Sequence, residues 1–539
     1  MISGAEIMVK CLEAEGVSVV FGYPGAAICP FYDKLYDSGI NHILVRQEQN
    51  AAHAASGYAR CSNRPGVCIA TSGPGATNLI TGIATAYTDS IPMVAITGQV
   101  RSDLLGRDVF QEADITGACE PFVKHSYLVS KTEDLPRVFK EAFHIASTGR
   151  QGPVLIDIPM DIQTNCIEEF VYPEKVNIIG YKPNTKGHIM QVKKALEALA
   201  KSKRPVIVAG GGVLSSGIKP KFQQFADKTK LPVISTMMGI GVMPSEHEMY
   251  LGMLGTHGKA VANRALREAD LVIVCGARLG DRAVAAPHQM SEPTVIHIDI
   301  DPAEIGKNVK TEIPIVGDMK NVMNMILENI GDYTVSDEWL NTVKTWKEDL
   351  NRTPPVFDGY VEPRTLVSHL SAMFRSKAIL VADVGQNQIW CANNFRIREG
   401  RFLTTGGMGT MGYSIPAAVG AKFARPTRDV IVICGDGSFQ MSLNELATIA
   451  GNNLNIKIIV MRNSRLGKVR ELQDMHYNSR HSATILQGDP DILKIADAYG
   501  IDHALAKSNE EAENIIKGIV KSDKPFILVC DVHPDTPSI

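Results

Sequence analysis

The chain has 539 residues, which at about 150 residues per domain predicts three or four domains rather than a single core. Hydrophobic residues make up 45% and charged residues 21%, values that exclude a disordered, collagenous or disulfide-scaffold protein. Lysine and arginine number 55 against 58 aspartate and glutamate, a net charge of −3. The overall charge therefore favours neither nucleic acid nor an anionic membrane as a partner.

The cysteines and the apolar segments predict a cytoplasmic protein. The 10 cysteines are scattered, and most, such as Cys275 and Cys434, sit inside apolar runs. This pattern predicts reduced, buried thiols rather than disulfides or zinc ligands. The first residues include acids and no apolar core, so no signal peptide is expected. The longest apolar runs have the length of strands and are too short to span a bilayer.

Short β-branched runs alternate with amphipathic helical stretches along the whole chain. In chain order the runs are residues 18–25, 66–73, 92–98, 153–159, 204–212, 232–236, 270–277, 294–301, 378–385, 429–437, 456–463 and 525–531. They are apolar at nearly every position, which is typical of strands buried on both faces of a parallel sheet covered by helices. The predicted fold class is α/β with three doubly wound parallel-sheet domains.

Two shifts in composition predict the domain boundaries. Residues 168–186 are rich in Pro, Asn and Lys and lack helical periodicity, which indicates a linker. Residues 332–362 combine a charged helix with a Pro-rich connection. The predicted domains are therefore 1–167, 187–331 and 363–539. The first and third share a succession of strand, Gly-rich turn and helix.

The third domain contains the strongest motif. One buried strand runs into Gly435-Asp436-Gly437-Ser438, and a later one ends in Arg462-Asn463. Glycines at a strand end let the backbone approach a phosphate, and the following helix offers N–H donors. Because successive parallel strands usually end at the same sheet edge, Asp436 and Asn463 are expected to lie close together and, with phosphate oxygens, to suit Mg²⁺. Either residue alone is more often an ordinary turn or loop residue.

Asp436 and Asn463 together are more specific evidence for a cofactor site than either residue alone. GDG followed by an Asn at the end of an apolar strand is similar to the thiamine diphosphate signature, with Arg462 in place of that signature's first Asn. Thiamine diphosphate chemistry also needs a glutamate that hydrogen-bonds the aminopyrimidine ring. Glu48, which follows the strand HILV and opens an Ala-rich helix, is the candidate. An isolated Glu at that position more often only complements the helix dipole.

A series of motifs in order resembles one family over essentially the whole chain. The motifs FGYPG, RQEQ, GYAR, TSGPGATN, DVFQEADITG, GARLGDR, HIDIDPAEIGKN and GGMGTMG resemble the acetohydroxyacid synthases (acetolactate synthases). The resemblance implies pyrimidine-binding, flavin-binding and diphosphate-binding domains, in that order. It implies that pyruvate is decarboxylated and joined to a second 2-oxoacid to give 2-acetolactate, as in branched-chain amino acid biosynthesis. It also implies a homo-oligomer, dimer or tetramer, with the active site between two chains, and leaves room for a separate small regulatory subunit.

The resemblance assigns site residues position by position. Those implied for thiamine diphosphate are Glu48, Pro24, Asn78, Val384, Gly385, Gln386, Gly409, Met411, Gly435, Gly437 and Ser438. Those implied for Mg²⁺ are Asp436, Asn463 and Arg465. Those implied for FAD in a non-redox role are Arg150, Gly211, Gly212, Thr236, His257, Arg278, Asp299 and Asp318. Phe110 and Gln111 would lie near the reacting carbon, and Arg282 would hold the carboxylate of the second 2-oxoacid.

Simpler roles compete with some of these assignments. Three glycines after a buried strand are by themselves weak evidence for a dinucleotide. Met411 is also compatible with an ordinary core methionine. Arg282 also suits a surface salt bridge or one linked to the flavin.

Several positions depart from the family pattern and concentrate at the chemistry. Met160 replaces a lysine, Lys468 a methionine and Leu472 a tryptophan; Ala26 replaces a glycine and Asn387 a histidine. Loss of the tryptophan removes an aromatic wall of the acceptor pocket, which puts the family preference for 2-oxobutanoate over pyruvate in doubt. A carboligase with another donor or acceptor is therefore one alternative. A catalytically weak cofactor-binding paralogue that acts as a partner subunit is another.

Overall fold

A computed structural model describes residues 1–284, 292–349 and 355–539. Three sheets of six parallel strands carry the fold, one in each third of the chain, as the sequence predicts. No helix in the described ranges is long and apolar enough to cross a membrane. All 10 cysteines are unpaired, and all but Cys29 and Cys166 are buried.

The first sheet has the spatial order β3-β2-β4-β5-β7-β6. Its strands are β2 (Val19–Gly22), β3 (Asn41–Leu44), β4 (Gly66–Ala70), β5 (Met93–Gln99), β6 (His125–Leu128) and β7 (Pro153–Pro159), beside an antiparallel pair, β1 (Ile2–Ser3) and β8 (Cys166–Ile167). The helices are α1 (Gly4–Ala14), α2 (Cys29–Tyr36), α3 (Glu48–Ser62), α4 (Pro74–Asn78), α5 (Ile80–Thr88), α6 (Ile115–Cys119), α7 (Leu135–Ser147) and α8 (Met160–Thr164). The strand order reverses between β2 and β4, so ligands are expected at the carboxyl ends of these two strands.

The central sheet has the order β11-β10-β9-β12-β13-β14. Its strands are β9 (Pro205–Ala209), β10 (Val233–Ser235), β11 (Tyr250–Met253), β12 (Leu271–Cys275), β13 (Thr294–Asp299) and β14 (Ile313–Val316). Its helices are α9 (Ile189–Lys201), α10 (Gly211–Ser215), α11 (Lys219–Thr229), α12 (Ala260–Glu268), α13 (Met319–Asn329) and α14 (Asp337–Asp349). This order is that of dinucleotide-binding sheets, whose ligand crevice lies here between β9 and β12.

The third sheet has the order β16-β15-β17-β18-β20-β19. Its strands are β15 (Ile379–Ala382), β16 (Arg401–Leu403), β17 (Val430–Gly435), β18 (Ile456–Arg462), β19 (Asp502–Ala506) and β20 (Phe526–Asp531). Its helices are α15 (Pro363–Met373), α16 (Gln386–Asn394), α17 (Ser414–Ala424), α18 (Asp436–Gln440), α19 (Leu446–Gly451), α20 (Gly467–His476), α21 (Ile492–Ala498) and α22 (Asn509–Ile519). Strand for strand the first and third sheets have the same order, so the pattern they share in sequence reflects a shared topology.

One apolar core joins the first and third domains. Its members include Phe21 and Ala52 from the first domain and Tyr413 and Ile458 from the third. Helices α3 and α17 approach closely where a side chain is absent: a Cβ on Gly420 would lie 1.8 Å from the Ala54 carbonyl oxygen. The two domains are therefore fixed against each other by direct backbone contact.

Candidate active site

Asp436 and Asn463 lie together at the carboxyl edge of the third sheet. Asp436 follows β17 and Asn463 follows the neighbouring strand β18. Asp436 Oδ2 accepts hydrogen bonds from the backbone N–H groups of Asn463 at 3.0 Å and Ser464 at 2.6 Å. Burial raises the pKa of Asp436 to about 6, and the nearby Asp489 carboxylate adds to the shift. A divalent cation would compensate this buried acidic group.

Gln386 and Arg465 both form hydrogen bonds with the Asn463 side chain. Asn463 Nδ2 donates to Gln386 Oε1 at 3.1 Å, and its Oδ1 accepts from the Arg465 N–H at 3.1 Å. A Cβ on Gly467 would lie 1.9 Å from Gln386 Oε1, so a larger residue there would displace the Gln386 amide. A guanidinium has no acceptor atom, so Arg465 could bind a metal only through its backbone carbonyl.

Asp383 organises the Gly-rich turn that precedes α16. Its carboxylate accepts from the N–H groups of Val384 at 2.9 Å, Gly412 at 3.0 Å and Ser414 at 2.8 Å. Asn387, at the position where the sequence departs from histidine, donates to the Asp383 carbonyl at 2.7 Å. Asp383 thus ties the turn after β15 to the segment that contains Met411. It was missed from the sequence, although it ends a buried strand as Asp436 does.

The remaining diphosphate candidates surround the same turn. Gly385 has φ +138°, a conformation that favours glycine, and precedes the first residue of α16. Ser438 Oγ accepts from the Gly435 N–H at 3.1 Å. The terminal Met411 Cε lies 3.7 Å from where a Cβ on Gly437 would be. Gly409 has φ +65° and is exposed. Backbone donors, two glycine turns and the Asp436 group therefore fit a diphosphate with a bound divalent cation.

Glu48 belongs to a second group of predicted site residues, which lies in the first domain. It is the first residue of α3, and its Oε2 accepts from Asn78 Nδ2 at 2.9 Å. A Cβ on Gly75 would lie 3.4 Å from Glu48 Oε1, and one on Gly73 would lie 2.9 Å from Gln111 Cβ. Glu48, Asn78 and Gln111 therefore meet around the turn that follows β4.

The other first-domain candidates lie at the surface. Phe110, beside Gln111, is 85% exposed, and Pro24 is exposed after β2. Ala26 begins a three-residue 3-10 helix in which its side chain is exposed. No hydrogen bond within the described ranges joins Glu48 to the third domain, whereas its neighbours Arg46 and Asn50 both bind Glu445 there.

The flavin candidates line one edge of the central sheet. They follow the carboxyl ends of its six strands in turn: Gly211 and Gly212 after β9, Thr236 after β10, His257 after β11, Arg278 after β12, Asp299 at the end of β13 and Asp318 after β14. A Cβ on Gly212 would lie 2.8 Å from Gly276 Cα, so the turns after β9 and β12 touch at the crevice. This edge fits a dinucleotide, which binds across such a crevice.

Arg150 reaches this edge from the first domain. Its Nη1 donates to Asp301 Oδ2 at 3.2 Å and to Glu304 Oε1 at 2.7 Å. Burial raises the pKa of the nearby Asp299 to about 6. Arg150 therefore lies beside the predicted flavin-binding residues of the central domain, although it is part of the first domain.

Comparison with known proteins decides the family. Models of the thiamine pyrophosphate (thiamine diphosphate) enzymes match in chain order: the N-terminal TPP binding domain over residues 2–118, the central domain over 192–326 and the C-terminal TPP binding domain over 383–530. A probable acetolactate synthase large subunit of Methanocaldococcus jannaschii is 45% identical over 99% of this chain and 92% of its own. The acetolactate synthase large subunit of Haemophilus influenzae is 44% identical over 99% and 95% of the two chains. That of Lactococcus lactis is 42% identical over 98% and 92%.

The chain belongs to the thiamine pyrophosphate enzyme family. In this thiamine pyrophosphate enzyme, Arg282 follows β12 and its side chain is 76% exposed, with Asp281 at 3.6 Å. The pKa of His257 is lowered by burial and further by the positive charges of Lys468 and Arg282. Arg282 of the central domain and Lys468 of the third domain therefore both act electrostatically on His257.

Lys468 is not free in this thiamine pyrophosphate enzyme. Its Nζ donates to Glu471 Oε2 at 2.8 Å. Glu471 Oε1 also accepts from Gln386 Nε2 at 2.8 Å and from the Ser538 N–H at 2.7 Å. These hydrogen bonds outweigh burial and hold the pKa of Glu471 below its usual value. Glu471 was missed from the sequence, where its spacing of three from Lys468 on one helix was the available signal.

The other departures from the family pattern lie on separate elements. Leu472, on α20 beside Glu471, is 39% exposed. Met160 is the first residue of α8 in the first domain and is half-buried. The Lys468 charge is paired with Glu471 and not with any group near Met160, so within one chain it does not replace the missing lysine.

Proposed function

We propose that this protein is a thiamine diphosphate-dependent acetolactate synthase that decarboxylates pyruvate and joins the remaining two carbons to a second 2-oxoacid, giving 2-acetolactate when that acid is pyruvate. The observation that carries this proposal is the 42–45% identity to acetolactate synthase large subunits over nearly the full chain. The predicted domain roles are pyrimidine binding for 1–167, flavin binding for 187–331 and diphosphate and metal binding for 363–539. The unpaired cysteines agree with a reducing, cytoplasmic setting.

Bound thiamine diphosphate would supply the nucleophilic carbon at which the 2-oxoacid loses CO₂. Glu48 would hold the aminopyrimidine ring, and Asn78 would orient the Glu48 carboxylate through the 2.9 Å hydrogen bond. Asp436, Asn463 and the Arg465 carbonyl would hold Mg²⁺ against the diphosphate. Gln111 would donate to a developing oxyanion. Arg282, whose side chain is 76% exposed, would bind the carboxylate of the second 2-oxoacid as a fork of parallel donors.

FAD is proposed as a second cofactor with a structural, non-redox role. The support is the row of Gly211, Gly212, Thr236, His257, Arg278, Asp299 and Asp318 along the carboxyl edge of the central sheet, with Arg150 beside it. Release of the cofactors by denaturation, followed by absorbance and mass spectrometry, tests which of them the purified protein carries.

A homo-oligomer with a shared active site is the proposed assembly, with a separate small subunit as a further partner. Several large apolar side chains beside the site residues are exposed in the single chain: Phe110 at 85%, Met441 at 53%, Met408 at 48% and Leu472 at 39%. Exposed apolar groups beside polar site residues, as here in both the first and the third domain, are typical of a surface that another chain covers. The relatives are named large subunits, which supports a small partner.

The activity is tested with purified protein, pyruvate, thiamine diphosphate and Mg²⁺. We expect 2-acetolactate, identified by NMR, and its loss in the Glu48→Gln variant. Activity that appears only after FAD is added shows that the protein requires FAD, whereas no activity with FAD shows that the protein itself is inactive. Failure of the parental protein to form 2-acetolactate at any enzyme concentration, with all three cofactors present, contradicts the proposal.

A carboligase with a different donor or acceptor is the second candidate, favoured by Leu472, Lys468 and Met160. 2-Oxobutanoate has one methylene more than pyruvate, and burying a methylene in an apolar pocket favours binding by about 1–3 kcal/mol. An acceptor pocket without an aromatic wall offers less apolar surface for this methylene. Competition between pyruvate and 2-oxobutanoate should therefore show a weak preference, and Leu472→Trp should raise it about tenfold or more. A panel of 2-oxoacids and aldehydes read by mass spectrometry supports this candidate if some other pair reacts faster than pyruvate with itself.

A further inference from the structure

A two-residue turn in the first domain contacts Arg150, a predicted flavin residue, and the loop that precedes the predicted thiamine residues Gly409 and Met411. Asp89 and Ser90 follow α5, and Ser90 has φ +58°, a left-handed conformation that is uncommon for serine. Ser90 Oγ accepts a hydrogen bond from Arg150 Nε at 3.0 Å. The Asp89 carboxylate accepts from the N–H groups of Gly406 at 3.2 Å and Gly407 at 2.8 Å. The turn therefore connects the arginine at the flavin edge to the loop that leads into Gly409 and Met411.

The flavin side of this connection is held firmly. The guanidinium that donates to Ser90 also donates to Glu304 at 2.7 Å and Asp301 at 3.2 Å, both just after β13. A ligand that contacts Arg150 at this edge would bind the same guanidinium whose Nε already donates to Ser90 in the turn. Any movement of Arg150 is therefore transmitted to Ser90.

The thiamine side of the connection lies against side chains of two other domains. A Cβ on Gly406 would lie 2.7 Å from Met238 Sδ, and one on Gly407 would lie 2.6 Å from Thr88 Cβ. Met238 also faces the flavin turn, because a Cβ on Gly211 would lie 3.3 Å from Met238 Cβ. The loop at Gly406 and Gly407 thus contacts both the first and the central domain, and Met238 forms a second contact between the two sites.

We propose that the turn Asp89–Ser90, together with Met238, couples the two cofactor sites. FAD bound at the central sheet fixes Arg150 and Met238, and these hold the loop 406–411 in the arrangement that presents Gly409 and Met411 to thiamine diphosphate. This inference rests on the proposed binding of both cofactors. Coupling between two sites is reciprocal, so each cofactor raises the affinity for the other by the same factor.

The test measures binding rather than turnover. The Kd of FAD for the full-length apoprotein is measured by quenching of flavin fluorescence, with and without saturating thiamine diphosphate and Mg²⁺. We expect the Kd to fall at least about fivefold when thiamine diphosphate is present, the lower end of usual coupling factors. The Ser90→Ala variant, which loses only the hydroxyl that accepts from Arg150, should lower this ratio and leave only the part of the coupling that passes through Met238. Met238→Ala should lower it independently.

The matched control is Ser147→Ala, which removes a hydroxyl that bonds only within α7, to Phe143 and His144, in the same domain. Its ratio should equal that of the parent. Equal FAD affinity with and without thiamine diphosphate in the parental protein overturns the coupling. So does an unchanged ratio in both Ser90→Ala and Met238→Ala. If FAD does not bind at all, the flavin part of the proposed function fails and this inference fails with it, whereas uncoupled binding removes this inference alone.

Discussion

Asp383 and Glu471 hold the predicted diphosphate cradle from two sides. Asp383 fixes the backbone of the turn after β15, and Glu471 fixes the Gln386 amide at 2.8 Å. A carboxylate only accepts, so Gln386 presents its NH₂ group to Glu471 and its oxygen to Asn463 Nδ2. The Asn463 oxygen then faces Arg465, from whose N–H it accepts, and remains available for the proposed cation. Glu471 therefore positions Asn463, the proposed metal ligand, through the amide of Gln386.

We predict that Glu471→Gln weakens Mg²⁺ binding. A glutamine offers a donor as well as an acceptor, so it no longer dictates the orientation of Gln386. Loss of such a supporting contact typically costs about tenfold or more in metal affinity. The measurement is a Mg²⁺ titration of thiamine diphosphate binding followed by tryptophan fluorescence, since Trp390 lies on α16. Lys468→Met, which leaves the Glu471–Gln386 bond in place, should bind Mg²⁺ like the parent. An equal loss in both variants would contradict this role.

We also predict a pH-dependent stability from Asp157. Burial raises the pKa of Asp157 to about 7, although hydrogen bonds from Thr97 and Gln99 oppose the shift. A carboxyl with a higher pKa when folded favours the neutral form, so its contribution is largest at low pH. That contribution falls by at most about 1.4 kcal/mol per pH unit as the pH rises from about 4, where an unfolded aspartate ionises, to about 7, and it is lost above that.

Comparison of the parent with Asp157→Asn isolates this contribution. The thermal unfolding midpoint of the variant, relative to the parent, should rise between pH 5 and pH 7 and level off above pH 8, because the amide does not ionise. If the substitution also destabilises the protein in a way that does not depend on pH, it shifts the unfolding midpoint of the variant by the same amount at every pH. Asp33→Asn, at an aspartate whose side chain is 71% exposed, is the control. A constant difference across this pH range would show that Asp157 titrates normally.

At the scale of elements, glycines decide how the helices and turns meet. Gly57 and Gly420 let α3 and α17 touch, since a Cβ on Gly57 would lie 2.0 Å from the Ala417 carbonyl oxygen. Helix α3 begins with Glu48 and ends before Asn63, which has φ +60°. The packing of α3 on α17 therefore also fixes the helix end at which Glu48 lies, so packing between domains supports the site.

We predict that Gly420→Ala destabilises the protein. The added Cβ would lie 1.8 Å from the Ala54 carbonyl oxygen, so the helices must separate, at a cost of about 1–3 kcal/mol. Gly518→Ala is the matched control, because Gly518 lies on α22 with open space where its Cβ would be. This control should gain about 0.5–1 kcal/mol from helix propensity. The difference between the thermal midpoints of the two variants measures the effect, and a midpoint of Gly420→Ala equal to that of the control would contradict close packing.

At the scale of the whole molecule, each chain carries two separate groups of thiamine-site residues. Glu48 bonds to Asn78 in the first domain, and Asp436 bonds to Asn463 in the third. A homodimer that places the first group of one chain against the second group of its partner would contain two active sites. The proposed assembly therefore predicts that inactive chains can complement each other.

We predict that the Glu48→Gln and Asp436→Asn variants, each inactive, regain activity when mixed under conditions that allow subunits to exchange. In a mixed dimer one site carries both substitutions and the other carries none, so random mixing should restore about a quarter of parental activity. Each variant exchanged with itself is the control. Size-exclusion chromatography confirms that dimers have re-formed, and no recovery among mixed dimers would place the whole site within one chain.

Apart from the short pair β1 and β8, the strands missed from the sequence share a position in the sheets. The 12 predicted runs all form strands, whereas β6, β11, β14, β16 and β19 were not predicted. Each of these five lies at the edge of its sheet. An edge strand has one neighbour and is less completely buried, so its sequence need not be apolar throughout. In β6, for example, no residue is fully buried.

The sequence by itself determined the α/β class, the central strands of three sheets and the Asp436–Asn463 pair. These features depend on the local pattern of apolar residues and on a fixed spacing between two strand ends. Only the tertiary structure decided that Asp383 and Glu471 support the cradle, that seven flavin candidates share one sheet edge, and that Asp89 and Ser90 lie between two sites. Those contacts join residues tens to hundreds of positions apart, and such a contact leaves no periodic signal in the chain because it exists only once the domains have packed.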